Sequence, residues 1–250
     1  MIYLILSNFF YALNNLLWKR ALSKFNLWHI ISSRSLLTSI VGFIVIITFY
    51  SDVINTIDFP LFLNIFIASV FGSLGLICMI HALKKGSLSQ LALFNLIIVF
   101  LIGSFLFFFE GLHFENYRVA SLLIISGFVL YIYQIKKKNT QQMSLHQLLL
   151  FSLMSIFFAG SIVMHWYGLN KDIPVIFSLS IQEAVVFLSS ITIVIISPSF
   201  SLVKLRYELK KISTTVILMS TVIFAAIWTG FSGLQFTDPL ISSLISLLTP

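Results

Sequence analysis

Leu96-Ile97-Ile98-Val99-Phe100-Leu101 lies inside an apolar window from 88 to 109, and its reading decides the class of fold. The run is continuous, whereas a strand of a membrane barrel alternates apolar and polar residues. A segment inside hydrocarbon must also pair its backbone amides internally, which leaves the helix. A bilayer core takes about 20 such residues per helical crossing. Windows of that length recur at 2–18, 27–49, 61–83, 88–109, 119–135, 145–168, 173–196 and 212–234, with a partial ninth from 238 to the C-terminus. The expected fold is therefore all-α and polytopic. The first window lacks the basic n-region and small-residue cleavage site of a signal peptide, so it is kept as a span.

The composition agrees. Of 250 residues, 59% are hydrophobic and 9% charged, against about 25% charged in ordinary soluble domains. The partner this implies is the lipid bilayer. A net charge of +7 would point to nucleic acid in a soluble protein, but here the basic residues are scattered among short loops, so no nucleic-acid partner is expected. The one cysteine, Cys78, lies in an apolar run, which excludes an intrachain disulfide and CxxC chemistry.

Twelve of the fifteen Lys and Arg fall in the first, third, fifth and seventh connections: Lys19, Arg20, Lys24, Lys84, Lys85, Lys136 to Lys138, Lys204, Arg206, Lys210 and Lys211. The even connections hold Arg118 and Lys171 beside Asp52, Asp58, Glu110, Glu115, Asp172 and Asp238. The positive-inside rule then places the odd connections in the cytoplasm and the N-terminus outside. The longest connection, Ser197 to Lys211, reads as a plain basic loop. Its Leu202, Leu205 and Leu209 at helical spacing offer the alternative of a helix on the headgroups.

Ser7, Phe9, Phe10 and Trp18 recur as Ser155, Phe157, Phe158 and Trp166, all at an offset of 148. Ala82-Leu83 with Gly86-Ser87-Leu88 runs parallel to Gly233-Leu234 with Thr237-Asp238-Pro239 at an offset of 151. The expected unit is five spans, covering 1–138, with a second repeat from 139 to 250. An odd number of spans inverts the second half in the membrane, the arrangement in which secondary transporters alternate access around a midplane site. Because Pro250 matches Val99, this ten-helix design is expected to show about nine helices here, the second repeat being incomplete.

Several short pieces resemble the EamA-type transporters of the drug/metabolite transporter superfamily: Trp18-Lys19, Arg34, Gly86-Ser87, Glu110-Gly111, Ser126-Gly127-Phe128-Val129-Leu130, and the stretch from Thr237 to Pro250. The resemblance implies two five-helix halves, a multi-pass protein of the cytoplasmic (inner) membrane, and movement of metabolites or drug-like solutes. It departs from the family in orientation, since members usually keep both ends in the cytoplasm.

Glu183 falls near the middle of its span, where a charged, unpaired carboxylate is costly. It either faces a central site, binding a cationic group or carrying a coupling proton, or stays a neutral acid bonded to a neighbouring helix. Arg34 either snorkels to the headgroups or lines the same cavity. Its repeat-related positions are Gln182 and Glu183, so the halves place opposite charges at corresponding depths and the two are expected to pair or to compete for substrate. Tyr11, Asn15 and Trp18 share a helix face with Asn14 alongside, suited either to a small polar or aromatic solute or to helix contact. Asn95, His165 and Trp228 are secondary candidates, with packing or interfacial roles as the alternative. Gly72, Ser73, Gly75, Ala159-Gly160-Ser161, Gly230 and Gly233 read as close-packing residues. No nucleophile elbow, carboxylate cluster or histidine pair at metal spacing is present, so neither an enzyme, a metal nor a cofactor is expected. A secondary transporter is the expected function. Its rivals are a non-transporting or degenerate membrane protein and an integral-membrane enzyme.

Overall fold

The computed structural model describes residues 1–22, 26–54, 57–83, 88–111, 126, 133, 143–171, 173–196 and 202–247. Among these residues every regular element is helical: α1 (Ile2–Leu22), α2 (Leu27–Phe49), the single turn α3 (Ser51–Ile54), α4 (Phe59–Leu83), α5 (Leu88–Phe109), α6 (Leu145–Leu169), α7 (Val175–Ile196), α8 (Leu202–Gln235) and α9 (Pro239–Ser246). Among them α2, α4, α6, α7 and the part of α8 from Thr214 to Gln235 are long and apolar enough to cross a membrane, five in all. Shorter apolar stretches, Ile2–Trp18 and Leu93–Phe109, belong to α1 and α5. The chain is a multi-pass helical membrane protein. The window from 119 to 135 lies outside the described residues apart from Ser126 and Tyr133.

Local chemistry sets the helix ends. The Asn26 side chain accepts from the Trp28 amide at 3.0 Å and starts α2. Asp58 accepts from the Leu61 amide at 2.9 Å, which begins α4 at Phe59, ahead of the expected 61. Ser144 and Gln147 form a reciprocal capping box that opens α6. Asp238 accepts from the Ile241 amide at 2.8 Å with Pro239 in the first turn of α9.

The largest departure from expectation is α8. Residues 202 to 211 are not a loop but the start of one helix of 34 residues. From Leu202 to Thr229 it contains neither glycine nor proline, and Leu, Lys, Arg and Glu are all good helix formers. Charge ends a hydrophobic window but does not end a helix.

The distribution of polarity is inverted relative to a water-soluble protein. Ile44, Ile47, Leu149, Ile156, Leu188, Ile195 and Ile217 are exposed, while Ser7, Ser35, Ser69, Ser155, Ser178, Ser180 and Ser220 are buried. An apolar exterior suits lipid, and small hydroxyl side chains let helices approach inside it. Several of those hydroxyls donate to the carbonyl one turn back: Ser35 to Ile31 at 2.6 Å, Ser69 to Ile65 at 2.7 Å and Ser180 to Ile176 at 2.7 Å.

The broadest helix contacts are α4 with α6, α2 with α7, and α1 with α8. All three pairs run antiparallel, as their register shows. On α4, Gly75 faces Phe158 of α6, Gly72 faces Ser161, and Ile65 lies beside Gly168. Leu4 and Ser7 of α1 meet Gly233 and Gly230 of α8 in the same reversed order. Along α2, Ile31 clusters with Val186 of α7, and further on Ile46 clusters with Ile176. Narrower contacts join α4 to α7, α2 to α8, and α5 to α6 and α9.

Candidate functional site

Arg34 is the eighth residue of α2 and Glu183 the ninth of α7. At 1.5 Å per residue they lie about 10 Å and about 12 Å from the starts of their helices. Because the helices are antiparallel, those depths are measured from opposite ends, and the two side chains meet well inside the span. The Nη2 atom of Arg34 is 3.2 Å from Oε2 of Glu183 and donates to Oε1 at 3.4 Å. Arg34 is 3% and Glu183 1% exposed. Arg34 therefore does not snorkel to the headgroups, and of its two readings only the inward one remains.

One neighbouring helix and α2 itself bond to the arginine backbone. Ser220 of α8 donates to the Arg34 carbonyl at 3.2 Å, and Thr38 of α2 donates to the same oxygen at 2.9 Å. Tyr11 of α1 is close enough to interact electrostatically with both Glu183 and Arg34. Its apolar body packs on the cluster that contains Ile46, Ile176, Phe177, Ile223 and Ile227.

The bundle interior holds further polar atoms that are not satisfied. Nε of Arg34, Oδ1 of Asn14, Oε1 of Gln182 and Oγ of Ser178 are buried without a hydrogen-bond partner. Ser178 and Gln182 are four residues apart and share a face of α7. Both ring nitrogens of His165 are likewise buried without a partner, and its ring lies 4.5 Å from that of Phe231 on α8. Buried polar atoms are nearly always bonded, so these exceptions on α1, α2, α6 and α7 are unused hydrogen-bonding capacity inside the bundle.

The remaining sequence candidates fall elsewhere. The inward stripe of α1 includes Leu4, Ser7, Asn14 and Ala21, all buried. Tyr11 and Trp18 continue its spacing of three and four residues, so the amide at its centre is Asn14, and Asn15 stands alongside half-buried. Trp18 packs between Ala21, Ile30, Val216 and Met219 on one side and Ile31, Ile80 and Val186 on the other. Asn95 is half-buried on α5. Trp228 is 40% exposed and meets Phe224 edge-on, away from the interior. Glu110, at the exposed end of α5, accepts a hydrogen bond from Tyr167 and so ties α5 to α6.

Sequence reasoning passed over Ser178 and Ser220. Ser178 could have been found from its spacing to Gln182. Ser220 acts through a backbone carbonyl and leaves no pattern. Among the described residues no three of His, Cys, Asp and Glu come together in a way that could hold a metal ion. What the site can do is exchange ionic partners. A guanidinium recognises a carboxylate through a fork of N–H groups, and a carboxylate accepts from any cation that reaches it. Compared with models of protein families and with curated proteins, the chain matches none.

Proposed function

We propose that the protein is a secondary transporter, moving a small solute across the membrane by alternating access between two inverted halves, 1–138 and 139–250. The observation that carries this reading is the Arg34–Glu183 pair, buried between the second helix of each half at a depth where unpaired charge is costly. Ionisable groups at such depth commonly mark substrate or ion pathways.

The helix contacts support the inversion. Let α1, α2, α4 and α5 exchange with α6, α7, α8 and α9. The contact of α1 with α8 becomes that of α6 with α4, and the contact of α4 with α7 becomes that of α8 with α2; all four exist. The contacts of α2 with α7 and of α5 with α9 map onto themselves. The register supports it too, since α2 and α7 are antiparallel. An exchange at an offset of 149 carries Arg34 onto Glu183, which sets the charge pair on the proposed twofold axis. The likeness to EamA-type transporters agrees with this architecture.

The test is flux. Proteoliposomes are expected to take up a labelled solute from a mixed metabolite panel faster than protein-free vesicles. Loading the lumen with the same unlabelled solute is expected to accelerate that uptake, as it does for a carrier but not for a channel. Absence of any protein-dependent uptake across the panel would contradict the proposal.

A further inference from the structure

We infer that the solute is a zwitterion, with one carboxylate and one ammonium group, which enters by opening the Arg34–Glu183 pair and taking both of its charges at once. The inference rests on the transporter reading and names the class of substrate for that same site.

The first argument is electrostatic. Among the described residues whose burial is known, Arg34 and Glu183 are the only Arg, Lys, Asp or Glu that are buried. The two charges neutralise one another, and removing one partner of a buried pair leaves an uncompensated charge, the most unfavourable arrangement available to it. A cationic solute bound to Glu183 would strand Arg34. An anionic solute bound to Arg34 would strand Glu183. A zwitterion bridging the two leaves neither charge unmatched, and the occupied site stays neutral overall.

The second argument is geometric. Glu183 engages Arg34 through Nη2 alone, at 3.2 and 3.4 Å, while Nε is buried with no partner. A charge-assisted contact of this kind is usually about 2.7–2.9 Å, so the pair is loose. The edge of the guanidinium formed by Nε and its neighbouring nitrogen is the one that receives a carboxylate bidentately, and Glu183 does not use it in that way. Asn14 on α1 and Ser178 and Gln182 on α7, the helix of Glu183, carry further buried oxygens without a partner, acceptors of the kind an ammonium uses. Helix α4 packs on α7, α8 packs on both α2 and α7, and Tyr11 and Trp18 of α1 pack on clusters that include residues of α2 and α7, which separates the pair from the lipid-facing surface and selects a free solute rather than a lipid headgroup.

The experiment uses proteoliposomes of the whole chain and three matched sets of probes. Each set contains a neutral amino acid (alanine, serine or phenylalanine), its amide, which is a cation, and its N-acetyl derivative, which is an anion. The amino acid of at least one set is expected to enter about a hundredfold faster than its amide or N-acetyl form, because each derivative leaves one buried charge unpaired. Its rate is expected not to change when a potassium diffusion potential is imposed. Glu183→Gln is expected to shift preference to the N-acetyl anion, and Arg34→Gln to the amide cation, a reciprocal switch that a purely structural role would not produce. The wild-type comparison stands without the variants should either fail to fold. If singly charged derivatives enter as fast as the amino acid, or if the protein carries other solutes and excludes all three amino acids, the zwitterion inference is overturned and the transporter reading stands. If no solute of any kind enters, both are overturned.

Discussion

Two antiparallel interfaces, α4 with α6 and α2 with α7, are built on opposite principles. The first uses size. Gly72, Gly75 and Gly160 bring the backbones together, with Phe71 and Phe158 lying over the glycines, and Asn64 donates across it to the Met164 carbonyl at 2.8 Å. Nothing in it is charged. The second interface also has a close approach, Gly42 against Ser180, yet it places a guanidinium and a carboxylate in the interior. Small residues alone hold membrane helices together, so the charges are not needed for association. The contrast separates a region whose residues are explained by packing from one whose residues are not.

The largest effect is expected where charge is left alone. Arg34→Ala or Glu183→Ala should lower stability in detergent by about 3–5 kcal/mol, because the surviving partner remains buried and unpaired. The neutral double variant R34Q/E183Q should recover most of that loss, which thermal unfolding will show. If each single variant is as stable as the wild type, the pair is not buried as described. Next comes the packing interface. A Cβ at Gly75 would lie 2.7 Å from the Phe158 ring, so Gly75→Ala should cost about 1–3 kcal/mol through overpacking while leaving any preference among charged solutes intact. A change in that preference would blur the distinction between the two interfaces. Ser220→Ala removes one of two hydroxyl donors to the Arg34 carbonyl and should cost about 0.5–1.5 kcal/mol, less than Gly75→Ala at its upper range. Smallest of all is Trp228→Ala, on the exposed face of α8. Its effect on stability should stay within about 0.5 kcal/mol, and a clear loss of flux would show that this tryptophan belongs to the site.

Much of the fold was legible because the bilayer makes one rule dominant. The runs 27–49 and 88–109 coincide with α2 and α5 to the residue, and α2 is among the five helices long and apolar enough to cross a membrane. The same rule failed at α8. Hydropathy marks where the membrane ends, whereas the backbone follows helix propensity, and between Leu202 and Lys211 the two diverge. The candidate site was legible in one respect. The internal offset set Arg34 beside Gln182 and Glu183, and the structure brings the arginine and the glutamate into contact. The adjacent amides Asn14 and Asn15 were both candidates, and the stripe through Leu4, Ser7, Asn14 and Ala21 shows Asn14 to be the more deeply buried of the two. The bond from Ser220 to a backbone carbonyl is tertiary geometry, invisible to any spacing within one helix.

The central claim is that the buried charges exist for transport rather than for assembly. Solute exchange by R34Q/E183Q in proteoliposomes, measured beside its unfolding temperature, tests it most directly. The account predicts a protein that inserts and unfolds close to the wild type but exchanges no solute above protein-free vesicles. Exchange by the double variant at the wild-type rate would contradict it.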